Sequence, residues 1–323
     1  MSSPAISDSP RTSRIVILIP CLNEEGTIAK VVQDFRAQLP EAEVIVFDNG
    51  SGDRTVELGL QAGAVLMSEK RRGKGHVVQA MFQHVEADVY VMVDGDDTYP
   101  ADRVRDLLSP VLLGEADMSI GSRMMADSRS AMSPTSRIGN NFFRIVINWI
   151  FGTRLTDILS GYRCLSRTLV KSLPLFVKGF EVEAEITIKS LERGFRLVEV
   201  PVDLRSRHEG SFSKIRALRD GLSILGTIFS LFRDYKPLTF FGSVGIVFFV
   251  LGLAPGAYAL SANSTAPQPF PVLLGILSVG LGLIGALLVA VGLILHTVNR
   301  RFQELEHLMR LVGPRSDGAG HRR

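Results

Sequence analysis

Three carboxylates follow a short apolar run in the first third of the chain. Residues 89–93 are apolar or β-branched, and Asp94, Asp96 and Asp97 come directly after them around Gly95. The run predicts a buried strand, and ligands of open α/β sheets bind outside the carboxyl ends of the strands. Carboxylate oxygens suit Mg²⁺ or Mn²⁺, which often bridge to substrate phosphates. A divalent metal at Asp94 and Asp96 is one interpretation and a solvated turn is the other, so the rest of the chain must decide.

Charged loops also follow three strands that we predict earlier in the chain, at residues 15–19, 44–47 and 64–67, the first of them closed by Pro20. These loops carry Glu24, Asp48 with Asp53, and Lys74 between Gly73 and Gly75. Each loop alone is typical of an ordinary turn or helix cap. Four in succession at one edge of a parallel sheet instead predict one pocket, with acids for a base or ribose, a lysine for a phosphate and a metal pair.

Helical periodicity connects these strands. Apolar residues recur at helical spacing between residues 28 and 39, and helical patterns also follow the second and third strands. The alternation predicts an α/β fold, with a Rossmann-like, mostly parallel sheet and helices on both faces. A further strand is expected at 117–120 and another at 196–204, where Pro201 favours the sheet edge because proline has no N–H to donate.

The C-terminal third has a long uncharged stretch. No Asp, Glu, Lys or Arg occurs between Lys236 and Arg300, and residues 261–271 interrupt the apolar sequence with Ser, Asn and Pro. The stretch is about twice the length that one bilayer crossing needs, so we predict a hairpin of two transmembrane helices near 239–259 and 273–296. Basic residues flank its outer ends and none lies in the loop, which predicts both termini on the cytoplasmic side of the membrane.

A cationic cluster precedes this hairpin. Arg207, Ser213 and Lys214 come just before a stretch in which apolar residues fall near one helical face, which predicts an interfacial amphipathic helix at 214–236. The cluster would then lie at the depth of a lipid phosphate, although general attraction to anionic lipid also explains the helix charges. The predicted domains are a disordered N-terminus (1–14), a catalytic domain (15–213), this helix, the two spans (237–299) and a cytoplasmic tail (300–323).

Composition restricts the partners. The net charge of +3 does not indicate a nucleic-acid partner. The only cysteines, Cys21 and Cys164, have no metal-ligand spacing and fit a reducing compartment. Apolar residues after Arg301 fit packing in a homo-oligomer or lying on the membrane, and the sequence leaves both open.

An ordered set of motifs resembles the family 2 glycosyltransferases with the GT-A fold, and among these the membrane-bound polyprenyl-phosphate sugar transferases, which include dolichol-phosphate mannose synthases. The resemblance covers roughly residues 15–214 and the paired spans. The matching motifs are Pro20-Cys21-Leu22-Asn23-Glu24-Glu25, Asp48-Asn49-Gly50-Ser51-Gly52-Asp53, Gly73-Lys74-Gly75, Asp94-Gly95-Asp96, Gly121-Ser122-Arg123, Asp157-Ile158-Leu159-Ser160-Gly161-Tyr162-Arg163 and Arg207 to Lys214.

The resemblance implies roles for the strand-end residues. It assigns Pro20, Glu24 and Asp48 to the nucleotide base and ribose, with Asn23 in the same donor site. It assigns Asp94 to the nucleotide-sugar region and Asp96 to a divalent metal, Mg²⁺ or Mn²⁺, on the diphosphate. A second metal contact at Asp97 has no support from the family pattern.

Arg123 and Asp157 have open roles in the sequence. Arg123 fits a phosphate contact or a surface salt bridge. Asp157 fits a base, a sugar orienter or a structural cap. A phosphate monoester has a second pKa of about 6 and is largely anionic near pH 7, so a phosphate acceptor needs no strong base.

The predicted function is inverting transfer of a sugar from a nucleotide-diphosphate sugar to a polyprenyl phosphate, at the cytoplasmic face of the cytoplasmic membrane. A UDP-sugar is the favoured donor, and GDP-mannose is left open. A sugar nucleotidyltransferase-like enzyme is an alternative that explains the metal and phosphate loops but not the two spans and the interfacial helix. A polysaccharide synthase should carry Gln-x-x-Arg-Trp, but the only tryptophan, Trp149, has no such context.

Overall fold

The computed structural model describes residues 13–125, 134–179, 181–205, 226, 229, 230, 232–262 and 269–312. The chain divides into two compact units, the first up to Ile228 and the second from Phe229. Arg207, Ser213, Lys214 and most of the predicted interfacial helix lie outside the described residues.

The first unit is built on a seven-stranded sheet. Its strands are β1 Ile15–Cys21, β2 Glu43–Asp48, β3 Val65–Ser68, β4 Val89–Met92, β5 Met118–Ser122, β6 Arg163–Ser166 and β7 Leu197–Pro201. The helices around it are α1 Ile28–Gln38, α2 Thr55–Gln61, α3 Lys74–His84, α4 Val104–Leu112, α5 Pro134–Phe151, α6 Arg167–Ser172 and α7 Val182–Glu192, with a short 3₁₀ helix at Ala101–Arg103.

The strand order is β3-β2-β1-β4-β6-β5-β7. All neighbouring pairs are parallel except those of β6, which runs antiparallel to both β4 and β5. The prediction of a mostly parallel sheet is therefore confirmed, and β7 with Pro201 lies at its edge as expected. β6 was not predicted, because Arg-Cys-Leu-Ser has neither the length nor the apolar character of a recognisable strand.

Side chains alternate between two apolar cores, one on each face of the sheet. In β1, Ile17 and Ile19 pack in the core on one side with Phe35 of α1. Leu18 packs in the other core with Met81 of α3. Because both faces of the strand are buried, β1 reads as a continuous apolar run, which is typical of parallel sheets covered by helices on both sides.

The strand register aligns the carboxyl ends that carry the polar loops. Cys21 pairs with Asp48, and Asp48 pairs with Ser68, so the first three strands end side by side. β1 extends one residue beyond Pro20, which pairs with Phe47 inside the sheet. The expectation that Pro20 closes the strand is thus wrong.

The second unit contains two long apolar helices, α8 Pro237–Ala262 and α9 Phe270–Val312. By length and composition, Pro237–Ser261 and Phe270–Phe302 are each able to cross a membrane, with mean hydropathies of 2.1 and 2.6. The helices pack on each other, and the Ser278 hydroxyl donates to the carbonyl of Gly252 at 2.7 Å. They therefore form a hairpin that is suited to a bilayer.

Candidate active site

Asp48 is the last residue of β2, and its side chain stabilises the loop that follows the strand. Its carboxylate accepts the backbone N–H groups of Gly50 at 2.9 Å and Ser51 at 3.0 Å. The turn forms because a short acidic side chain can reach the backbone two and three residues ahead. The side chain is buried at the crevice edge of the sheet, where the predicted contact with a base or ribose remains a prediction.

Asn49 joins the loops after β2 and β3, a role that was not predicted from the sequence. Its amide nitrogen donates to the carbonyls of Glu69 and Arg71, both at 2.8 Å. Its amide oxygen accepts the N–H of Gly73 at 2.8 Å. An asparagine directly after a strand was the available signal, since its amide satisfies donors and acceptors of neighbouring loops at once.

Asn23 joins the loops after β1 and β2. Its side-chain oxygen accepts the N–H of Gly52 at 2.8 Å, and its own N–H donates to the Ser51 hydroxyl at 2.9 Å. Its φ of 52° lies in the left-handed region, which asparagine tolerates better than most residues. The next residue, Glu24, is fixed through its N–H to the Thr55 hydroxyl at 2.8 Å. The predicted donor residues of β1 and β2 are thus parts of one braced surface.

Lys74, the first residue of α3, lies between two carboxylates. Its ammonium contacts Asp94 at 2.5 Å and Glu183 of α7 at 2.6 Å. Burial alone lowers the pKa of Lys74, but the two carboxylates raise it above its usual value. Two acids against one base leave the group one negative charge, an arrangement that favours a further cation. Sequence analysis did not predict the pairing of Glu183 with Lys74, which joins residues on two different helices.

The glycines beside Lys74 have a packing role. A Cβ on Gly73 would overlap the carbonyl oxygen of Lys178, and one on Gly75 would overlap that of Val177. The Gly75 N–H also donates to the Lys178 carbonyl at 3.0 Å. The phosphate contact predicted for the Gly-flanked Lys74 stays a prediction, and in this structure the two glycines make room for the chain segment that precedes α7.

The three acids after β4 have different partners. Asp94 pairs with Lys74, whereas the Asp96 carboxylate accepts the Thr98 hydroxyl at 2.6 Å. Asp97 has a φ of 57° and forms ion pairs with Lys30 at 2.9 Å and Arg205 at 3.2 Å. Asp97 is therefore directed to α1 and the end of the β7 segment instead of a shared metal position.

The donor set at the end of β4 fits a metal that is shared with a substrate. Among the residues that the structure describes, no group of three or more His, Cys, Asp or Glu side chains could hold a metal ion by itself. Mg²⁺ is usually bound by one or two carboxylates together with substrate phosphates and water. Asp94 and Asp96 supply such a pair, so the residues present fit a dication that completes its shell with phosphate oxygens.

Arg123 follows β5 and forms a buried two-pronged ion pair with Asp157. Its Nε donates to Asp157 at 2.6 Å and its Nη2 at 2.8 Å, and its backbone N–H adds a third bond at 3.1 Å. Burial alone lowers the pKa of Arg123, and the charge and hydrogen bonds of Asp157 raise it above its usual value. The Asp157 side chain is wholly buried. The surface salt bridge considered for Arg123 is thus wrong, because the pair lies inside the site.

The loop that carries Asp157 is fixed by a buried arginine of β6. Arg163 of β6 is fully buried and donates to the carbonyls of Ser160 at 2.8 Å and Ile158 at 2.6 Å. It also donates to the Thr187 hydroxyl of α7 at 2.8 Å. Burial lowers the pKa of Arg163 to about 10, which still leaves the guanidinium charged at neutral pH. A Cβ on Gly161 would overlap the Asp94 carboxylate, so the loop lies directly against the end of β4.

Glycosyl transferase family 2 is the family whose sequence model matches this chain, over residues 16–171. Glycosyltransferase AglJ of Haloferax volcanii is 35% identical over 250 residues, which cover 77% of this chain and 82% of that protein. An undecaprenyl-phosphate mannosyltransferase of Micrococcus luteus is 29% identical over 214 residues, covering 61% of this chain and 86% of that protein.

A similar fold occurs in glucosyl-3-phosphoglycerate synthase from Mycobacterium tuberculosis. Its crystal structure in complex with Mn²⁺, uridine diphosphate and glucosyl-3-phosphoglycerate has a TM-score of 0.57 and 24% sequence identity. The match covers 68% of this chain and 80% of that one. At this identity the likeness shows the GT-A fold and leaves the substrates of the present chain undecided.

Proposed function

Because this chain belongs to glycosyltransferase family 2, we propose that it transfers a sugar from a nucleotide-diphosphate sugar to a polyprenyl phosphate. The observation that carries this proposal is the presence of two apolar helices on the same chain as the glycosyltransferase unit. A chain anchored in this way meets phosphates carried by lipids. The mannosyltransferase of Micrococcus luteus, which is named for an undecaprenyl-phosphate acceptor, supports the same class of acceptor.

The donor site of the proposal is the braced surface after β1 and β2. Pro20, Asn23, Glu24 and Asp48 would contact the base and ribose there, with UDP favoured over GDP. The uridine diphosphate and Mn²⁺ of the Mycobacterium tuberculosis enzyme support this choice by analogy of fold. Lys74 would lie next to the diphosphate, and Asp94 would lie next to the nucleotide-sugar region.

Asp94 and Asp96 would hold Mg²⁺ or Mn²⁺ at the donor diphosphate. Bound there, the ion would offset negative charge on the departing nucleotide diphosphate. Asp96 is braced by Thr98, and Asp94 is braced by Lys74, so both carboxylates are oriented by the protein. Preorganised charges of this kind stabilise a transition state without having to rearrange during the reaction.

The acceptor phosphate acts as the nucleophile in this proposal. One of its oxygens forms a bond to the anomeric carbon, while the bond from that carbon to the diphosphate breaks and its electron pair leaves with the nucleotide diphosphate. Attack from the side opposite the leaving group inverts the anomeric centre. The phosphate oxygen is already anionic near pH 7, so Asp157 need not remove a proton. Its pairing with Arg123 suits an orienting role, in which Arg123 meets a phosphate.

The proposed reaction takes place at the cytoplasmic face of the membrane. Arg207, Ser213 and Lys214 would bind the lipid phosphate close to the headgroups, on the sequence argument given above. Both termini and the catalytic unit would then be cytoplasmic, with two spans in the cytoplasmic membrane.

A donor screen tests the proposal. Purified protein in detergent is incubated with polyprenyl phosphate, Mn²⁺ or Mg²⁺, and radiolabelled UDP- or GDP-sugars one at a time, and label in the organic phase is counted. We expect label with one donor, and none when the acceptor is polyprenol, which lacks the phosphate. Equal labelling of polyprenol, or no transfer from any donor, would contradict the proposed acceptor.

A further inference from the structure

Glu199 is a partly buried carboxylate on β7, outside residues 16–171 of the family match. Both of its oxygens accept the N–H of Thr156 at 2.8 Å, and one accepts the N–H of Asp157 at 2.7 Å. The Thr156 hydroxyl donates to it at 3.0 Å. Three donors from two consecutive residues therefore converge on one carboxylate.

These bonds fix the backbone at residues 156 and 157, and therefore the position of the Asp157 side chain. Asp157 in turn uses both carboxylate oxygens on Arg123, through Nε at 2.6 Å and Nη2 at 2.8 Å. Within the described part of the chain, the remaining nitrogen of Arg123, Nη1, has no protein acceptor. One edge of the guanidinium is therefore held, and the other is presented for an anion.

The sheet places Glu199 where it can act on this pair. β5 and β7 are parallel neighbours, with Ile120 opposite Glu199 and Ser122 opposite Pro201. Arg123 directly follows β5, so the acid and the guanidinium are carried by adjacent strands. The Ser122 and Thr156 hydroxyls lie 2.6 Å apart and close the network between them.

We propose that Glu199 is a positioning residue for the transfer reaction: it fixes residues 156 and 157 so that Asp157 holds Arg123 in one orientation toward a phosphate of the substrate. This inference rests on the proposed function, because a phosphate-bearing substrate is what the open edge of Arg123 would meet. Glu199 touches neither substrate nor metal in this account. A carboxylate is required because all of its partners are donors, and the amide of a glutamine would turn an N–H₂ group against one of them.

A double-mutant cycle tests the proposal. Glu199→Gln should lower turnover by about tenfold to a hundredfold, since small displacements of catalytic groups have effects of that size. The KM for the nucleotide sugar should stay within about threefold of the wild-type value, because the base and ribose surface is not involved. In an Arg123→Ala background, less than half of the effect, on a logarithmic scale, should remain.

Persistence of more than half of the effect in the Arg123→Ala background would overturn the proposal, because Glu199 would then act without Arg123. The matched control is Glu185→Gln, since Glu185 is a buried carboxylate that likewise accepts backbone N–H groups, those of Phe176 and Val177. Its substitution should lower the thermal unfolding midpoint, and any effect on turnover should persist in full in the Arg123→Ala background.

Two further experiments cover the cases in which the variant does not fold or the wild type shows no transfer. If circular dichroism shows that Glu199→Gln does not fold, the cycle is run with Thr156→Val, and the same criterion applies. This substitution removes the hydroxyl that donates to Glu199 and contacts the Ser122 hydroxyl, and it leaves the backbone donors in place. If the wild type does not glycosylate polyprenyl phosphate, the proposed function fails. The cycle is then read from the slow release of nucleoside diphosphate from the donor, so that the two failures are distinguished.

Discussion

Asp96 and Asp97 are adjacent carboxylates with different surroundings. Asp96 is braced by Thr98 beside the Lys74 and Asp94 pair, whereas Asp97 is neutralised by Lys30 and Arg205. A cation at the end of β4 should therefore depend on Asp96 and hardly on Asp97. Residue type and spacing could not separate the two, since both stand in one acidic run, and only the family resemblance placed the metal at Asp96.

Asp96→Asn should weaken Mn²⁺-dependent binding of a nucleoside diphosphate at least about tenfold, because a neutral amide is a poorer ligand for a hard dication. Isothermal titration calorimetry with and without EDTA measures this change. Asp97→Asn is the matched control and should keep the wild-type metal dependence. Equal losses in the two variants would show that the acidic run acts only through its total charge.

Lys74→Met should destabilise the protein, because it leaves Asp94 and the buried Glu183 without their shared cation. Removing one partner of a buried ion pair costs about 3 kcal/mol or more. The metal-free protein should show a lower thermal unfolding midpoint, and the double variant Lys74→Met with Glu183→Gln should recover part of the loss. If the double variant is less stable than Lys74→Met, the two carboxylates do not repel each other as the geometry indicates.

Most of the candidate site residues that sequence analysis singled out lie in loops that follow predicted strands. Asp48, Asp94 and Lys74 were found because strand, loop and helix alternate regularly around them. Asn49, Glu183 and Glu199 were missed because their roles depend on contacts between elements distant in the chain. Glu199, for example, meets Asp157 across 42 positions, and no local pattern records such a contact.

At the level of elements, the turn from β3 into α3 is shaped by the segment that precedes α7. Gly75 lies within the first turn of α3, where alanine would have the higher helix propensity. The carbonyl of Val177 nevertheless occupies the space that a Cβ would need. Packing between elements therefore outweighs local preference at this position.

Gly75→Ala should lower the free energy of unfolding by about 1–3 kcal/mol, the usual cost of overpacking a tight contact. Gly52→Ala is the control, since no atom lies within 4 Å of the position of its added Cβ. It should change stability by less than about 0.5 kcal/mol. Chemical denaturation of both variants measures the difference, and a stabilised Gly75→Ala protein would contradict the packing role.

Sequence analysis predicted some elements of the fold and missed the strand β6. The first parallel strands and their helices were predicted because β1, β2 and β4 contain apolar runs with a clear end and the helices between them show helical spacing. β6 was missed because a buried arginine, Arg163, starts it and serves the Asp157 loop instead of the core. In this strand, a residue that hydrogen-bonds the Asp157 loop stands where a recognisable strand would have an apolar residue.

For the whole molecule, the two apolar helices predict a membrane topology. A cysteine placed at Ser264, between the spans, should react with an impermeant maleimide added to intact cells, whereas one at Ser316 should react only after lysis. The native Cys21 and Cys164 are both buried and should give little background. The reverse labelling pattern would place the catalytic unit outside the cell and exclude a cytoplasmic nucleotide sugar as donor.

We propose that this family 2 glycosyltransferase, which has two helices able to cross a membrane, moves a sugar, without a phosphate, onto a polyprenyl phosphate. Mass spectrometry of the lipid product formed by the purified protein from the donor selected in the screen tests it most directly. The account predicts the mass of polyprenyl phosphate plus one glycosyl residue, with a single phosphorus atom and with nucleoside diphosphate as the other product. A lipid with two phosphorus atoms and release of nucleoside monophosphate would contradict it, because sugar phosphate would then have been transferred.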